Sequence, residues 1–240
     1  MWWCWLLGGL PALLLLGVVG PLRQNTAYHR FADTRSCCGV PNLMDVASNA
    51  GFAAVGCWGL ASVPRRSPTF VVWTVFFAGV ALVAAGSAYY HWDPSNRRLV
   101  WDRLPMTVGF MSLFTAVLYD CTDLPAAWLH PLLAGLVALG AWSVLYWHQK
   151  DDLRPYLVVQ YYPLLCMALL LPSHENTEDR ALYGGMLGWY LLAKAAEALD
   201  RPIYRWTRRA VSGHTLKHLL ATVATAWAVR TGCSTWAPPL

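Results

Sequence analysis

Residues 69–91 read TFVVWTVFFAGVALVAAGSAYYH, an apolar run without a single Asp, Glu, Lys or Arg. A bilayer's hydrocarbon core is crossed by about 20 apolar residues of α-helix, so the run from Thr69 to Tyr90 is long enough to span one. Its last turn carries Ser87 and His91, whose i, i+4 spacing puts them on one helix face. Seven other stretches read the same way: Trp2 to Gly20, Asn42 to Ser62, Leu104 to Tyr119, Pro125 to Trp147, Pro155 to Leu171, Ala181 to Leu199 and Val211 to Val229. Prolines and charges punctuate the gaps, as in Pro64-Arg65-Arg66, Asp93-Pro94-Ser95-Asn96, Lys150-Asp151-Asp152 and Arg201-Pro202. No gap is long enough to be a linker between domains. The expected fold class is all-α, a polytopic transmembrane helical bundle.

Composition agrees. Of 240 residues 57% are hydrophobic and 13% charged, with a mean hydropathy of +0.37; soluble domains carry roughly 25% charged residues. Trp92, Trp101, Trp147 and Trp206 lie at segment ends, where indole rings suit the headgroup zone. The net charge of +5 does not indicate nucleic acid, because the arginines sit in short loops. With eight spans, Arg23, Arg30, Arg35, Arg97, Arg98, Arg103, Lys150, Arg154, Arg201, Arg205, Arg208 and Arg209 fall on one side, and Arg65, Arg66, Arg180 and Arg230 on the other. The richer side is expected to face the cytoplasm. The seven cysteines form no CxxC pair and no regular framework. Cys4, Cys57 and Cys166 are expected to act as small buried hydrophobes, and Cys37-Cys38 to be a loop thiol pair.

More than a hundred residues after Ser87 and His91, His214 and His218 open the last span, again at i, i+4. Three imidazoles from two helices suit a zinc site with one position open, the arrangement of a hydrolytic centre. Water at that position has its pKa lowered to about 7. Asp102 begins the next span after His91 and suits a base for the water proton or an acceptor that orients a ligand histidine. Ser87 suits a hydrogen-bond donor to the oxyanion. Each feature alone has a plainer reading: a hydrogen-bonded histidine pair, or an Asp102 that pairs with Arg103 or caps a helix. Their convergence on one membrane face is what favours a site.

Gly86-Ser87-Ala88-Tyr89-Tyr90-His91, Leu99-Val100-Trp101-Asp102-Arg103-Leu104-Pro105-Met106, Ser212-Gly213-His214-Thr215-Leu216-Lys217-His218 and Pro41-Asn42-Leu43-Met44-Asp45-Val46-Ala47-Ser48-Asn49 together resemble the alkaline ceramidase family, from about Phe31 to about Val229. The resemblance implies a seven-helix core at residues 31–231, with residues 1–21 an added N-terminal transmembrane helix or signal anchor. It further implies hydrolysis of the N-acyl bond of ceramide or a related N-acyl lipid, zinc held by His91, His214 and His218, Asp102 as acid/base and Ser87 assisting at the metal. The eukaryotic branch of that family also has an acidic cluster for calcium. Here only Asp33 and Asp45 lie near it, with Asn42 where an acid is expected, so calcium is doubtful.

The expected partners are a ceramide-like lipid substrate and the bilayer, with no nucleic acid; the oligomeric state is not legible. Lys194 and Glu197, at i, i+3, are expected to be a structural ion pair. Asp45, Ser48 and Asn49 are expected to make interhelical hydrogen bonds, and His29, His130, His148 and His174 to be solvated. The alternative function is a receptor-like membrane protein that retains a metal site without hydrolysis. Haem ligation is disfavoured, since two histidines one turn apart on a helix cannot ligate opposite faces of one haem.

Overall fold

Pro105 interrupts the hydrogen-bond ladder of its own helix, and the consequence organises the centre of the molecule. A proline lacks the N–H that would bond the carbonyl four residues earlier, here that of Trp101. A methyl group placed on Gly86 would come within 2.1 Å of that carbonyl oxygen, so only a glycine lets the two helices approach this closely. In the computed structural model, which describes Gly9, Ala12 and residues 14–235, these helices are α3 (Phe70–Trp92) and α4 (Asn96–Cys121). They are antiparallel neighbours, joined by only Asp93, Pro94 and Ser95.

All described regular structure is helical. In chain order α1 (Leu43–Ala47) and α2 (Ala50–Ser62) precede α3 and α4; α5 (Leu129–Lys150), α6 (Arg154–Leu170), α7 (Thr177–Ala198), α8 (Asp200–Trp206) and α9 (Gly213–Thr235) follow. The most extensive packing is α3 on α4 and α7 on α9, with α2 against α3 and α5 against α4. Trp73, Phe77, Met167 and Tyr183 fill the main core. A smaller cluster built on Phe31, Tyr90, Trp147 and Tyr156 lies under the N-terminal loop.

Four segments are long and apolar enough to cross a membrane: Phe70–Trp92, Asn96–Cys121, Ala126–Lys150 and Arg154–Ser173. Helices α7 and α9 have 22 and 23 residues but carry charges, among them the buried Asp179 and the partly buried Lys194, Glu197 and Lys217. Large apolar side chains such as Leu82, Trp142 and Leu191 are more than half or about half exposed, as the outer surface of a membrane protein requires.

Several expected boundaries shift. Most of the span expected at Trp2 to Gly20 lies outside the described residues. The run from Asn42 to Ser62 is two helices, broken at Ser48 and Asn49. There the Asp45 carbonyl accepts from the side chains of Asn49 (2.7 Å) and Ser48 (3.2 Å), which compete with the backbone for that acceptor. Helix α4 starts at Asn96 rather than near Asp102, because Ser95 caps it by accepting from the Arg98 N–H at 3.3 Å. Cys166 is buried as expected, whereas Cys57 is exposed on α2. Cys37 and Cys38 are exposed free thiols.

Two loop carboxylates fasten the connections. Asp152 accepts from the Arg154 guanidinium at 2.8 Å and from the Leu22 N–H at 3.3 Å. The Arg154 hydrogen bonds hold its carboxyl below the usual range, outweighing the opposing effect of burial. Burial would raise the Asp33 carboxyl, but Arg35, at 2.6 Å, and Tyr204 together hold it below its usual value.

Candidate metal centre

Helices α3 and α9 bring three histidines together. His91 ends the buried face of α3, and His214 and His218 occupy successive turns at the start of α9. All three are buried, and one nitrogen from each lies within 4.8 Å of the other two. His91 Nε2 and His214 Nε2 are 3.2 Å apart. Two imidazoles bound at zinc-type distances in a tetrahedral shell would place their nitrogens about 3.3 Å apart. The ring centroids are 4.7–4.9 Å from one another and the rings are steeply inclined, so the nitrogens converge without stacking. The donor set therefore fits a metal ion, and the buried trio His91, His214 and His218 can hold one.

The surroundings orient the rings. Ser48 Oγ lies 2.8 Å from His218 Nδ1 and 3.2 Å from the Asp45 carbonyl. Only one arrangement uses both contacts fully: Nδ1–H donates to Ser48, whose hydroxyl donates to the carbonyl. His218 then presents a bare Nε2. The Phe31 ring packs on His91 and His214 at 4.6 and 4.5 Å between centroids, shielding that side. At the start of α9, Ser212 Oγ accepts from the Thr215 N–H at 2.9 Å, and Asp45 accepts from the Thr215 hydroxyl at 2.7 Å. Asp200 takes the His214 N–H at 2.8 Å and the Ala32 N–H at 2.9 Å. A methyl group on Gly213 would meet the Ala196 carbonyl at 2.2 Å, so glycine is needed for α9 to begin this close to α7.

Ser87 and Asp102 are brought together by the close approach at Gly86. Both are buried. Together with His218 they line a cavity of about 310 Å³. Its apolar wall includes Phe76, Phe110, Leu113, Leu164 and Met186. Of the five residues singled out from sequence, Ser87, Asp102 and His218 line this cavity, and His218 also belongs to the three-imidazole cluster, so the two features share that residue.

Other expectations divide. Asp45 and Ser48 make the expected interhelical hydrogen bonds, to Thr215 and His218, whereas those of Asn49 are local, to the Asp45 and Val46 carbonyls; that Ser48 would reach His218 was not suggested by spacing. Lys194 pairs with Glu197 as expected; Glu197 also accepts from Lys217 at 3.0 Å, and all three line the cavity. His130 and His148 are exposed. His29 instead bridges the Tyr90 hydroxyl (2.8 Å) and Asn96 (2.9 Å), and His174 meets Asp179 at 3.0 Å. Asp102 does not pair with Arg103, whose guanidinium turns towards Gln24 and Trp147. No protein-family model matches the chain, and the search of curated proteins gives no match.

Proposed function

We propose that this chain is a membrane-embedded, zinc-dependent amidase of the alkaline ceramidase type, which hydrolyses the N-acyl bond of ceramide or a related N-acyl lipid. The observation that carries this reading is that His218 belongs both to a cluster of three buried imidazoles and to the wall of an apolar cavity that Ser87 and Asp102 also line. In this reading the helices form a seven-helix core at residues 31–231 with an added N-terminal helix. The twelve-to-four distribution of Lys and Arg expected from eight spans supports a site near the cytoplasmic face, and impermeant labelling of single cysteines in loop 93–95 tests that orientation.

His91, His214 and His218 would hold the ion. Bound zinc would supply Lewis acidity and lower the pKa of coordinated water to about 7. Asp102 takes the proton of the attacking water as its oxygen adds to the amide carbonyl carbon. Ser87 donates a hydrogen bond to the oxygen that becomes negative. Asp102 then returns the proton to the departing nitrogen as the C–N bond breaks, giving a fatty acid and a free amine. The cavity walls hold the acyl chain and keep bulk water from it.

Lipid mass spectrometry of purified protein incubated with N-acyl lipids, with and without chelator, tests the proposal. Fatty-acid release that chelation abolishes is expected. No release from any N-acyl lipid tested would refute the amidase reading and favour a receptor-like protein with a metal site.

A further inference from the structure

The cavity has one polar and one apolar end. Along α4 its lining runs from Asp102 and Arg103 to Leu113, roughly 16 Å of helix at 1.5 Å per residue. Contacts tie the remaining charged lining residues to the Arg103 end. Tyr28 lies 5.9 Å from the Arg103 guanidinium and its hydroxyl is 3.4 Å from Glu197, which in turn holds Lys194 and Lys217. That end therefore gathers three cations against two carboxylates.

The lysines share Glu197, but Arg103 has no carboxylate within ion-pairing distance among the described residues. It is 94% buried. Its Nη2 donates to Gln24 Oε1 at 2.8 Å, and its Nη1 has no hydrogen-bond partner. The rings of Trp147 and Tyr156 flank the guanidinium at 4.1 and 4.6 Å. Ring faces offset part of the cost of burying a cation, yet an unmated N–H in a buried guanidinium remains costly. A wall that buries an arginine with no direct ion pair and one unmet N–H beside an apolar cavity is complementary to an amphipathic anion.

We infer that Arg103 is a specificity-determining residue that takes an anionic oxygen, of a carboxylate or a phosphate, on the headgroup of an N-acyl lipid whose acyl chain occupies the apolar end. The planar fork of arginine matches both groups. The inference rests on the amidase reading for the identity of the ligand's scissile bond; the binding preference is measurable without turnover.

The test compares three ligands of one acyl length by calorimetric titration in an uncharged detergent: an N-acylglycine, an N-acylethanolamine phosphate and a neutral N-acylethanolamine. One of the two anionic ligands is expected to bind about 10- to 100-fold more tightly than the neutral one, the span of a hydrogen bond to a charged group. A carboxylate preference assigns an N-acyl amino acid and a phosphate preference an N-acylated phospho-headgroup. In Arg103→Gln the ratio should fall towards one, and in Arg103→Lys, which keeps the charge without the fork, to an intermediate value. Equal affinity of the wild type for all three ligands overturns the inference, as does a preference unchanged in folded Arg103→Gln. Should that variant not fold, the wild-type ratio and Arg103→Lys decide. Anion-selective binding with no fatty-acid release removes the amidase reading and leaves this inference; release with equal affinities does the reverse.

Discussion

Replacing Ser48 by alanine removes one oxygen atom from the metal centre without touching a ligand. With that oxygen gone, His218 Nδ1 loses its 2.8 Å partner, and the imidazole loses the contact that keeps its proton on Nδ1 and its lone pair on Nε2. Partners that orient ligand histidines typically contribute 10- to 100-fold in metal affinity, or about 1.4–2.7 kcal/mol. The Asp45 carbonyl keeps its shorter 2.7 Å bond from Asn49, so the helix break should persist and the fold survive. Competition titration of purified protein against a calibrated chelator measures the affinity, with the melting temperature in the absence of metal as control. A Ser48→Ala protein that binds zinc as tightly as the wild type would refute the orienting role. Equal weakening by Ser48→Thr, which keeps a hydroxyl, would point to packing instead.

Three other perturbations separate chemistry, packing and charge. Asp102→Asn is expected to keep bound metal and lose about 10²–10⁴ in amide hydrolysis, with Ser87→Ala milder; turnover is compared at equal metal occupancy, and near wild-type hydrolysis by Asp102→Asn would exclude it as acid/base. Gly86→Ala forces a methyl group against the Trp101 carbonyl, with a close approach of 2.1 Å; overpacking of this kind costs about 1–3 kcal/mol, measured as a lowered melting temperature with reduced turnover. The folded pKa of Asp152 lies below its ordinary value of 3.8, so its contribution is present above about pH 4 and is lost as pH falls through the depressed value. Asp152→Asn should therefore flatten the acid limb of the stability profile, and an unchanged limb would show that the Arg154 pairing adds nothing to folding.

Local spacing pointed to the histidine trio because helical periodicity converts i, i+4 into a shared face, and both pairs lie at helix ends where they can meet; the family resemblance then singled out the three as a ligand set. The apolar runs likewise revealed the helices. The break at Ser48 and Asn49 was hidden because the run stays apolar around it, and the competing side-chain hydrogen bonds depend on how each polar group turns. The early start of α4 was written in Ser95, but the loop-like Asp93-Pro94-Ser95-Asn96 masked it. Phe31, Asp200 and Arg103 gain their positions from partners 44 or more residues away in most cases, such as Asp200 with Ala32, and such pairings leave no mark in a single sequence.

Asp200 also couples the cover of the site to its floor. One of its oxygens holds the Ala32 N–H and the other the His214 N–H, so the loop that lays Phe31 across the imidazoles and the first turn of α9 share one anchor. Phe31 contacts His91 as well as His214, which means that any displacement of the loop disturbs ligands on both helices. The same N-terminal stretch supplies Gln24 to Arg103 and Tyr28 to Glu197. A single segment before α1 thus touches the metal ligands through Phe31 and the charged end of the cavity through Gln24 and Tyr28. Loosening its anchor should weaken metal binding and headgroup selection together, whereas a defect confined to Ser48 should weaken only the first.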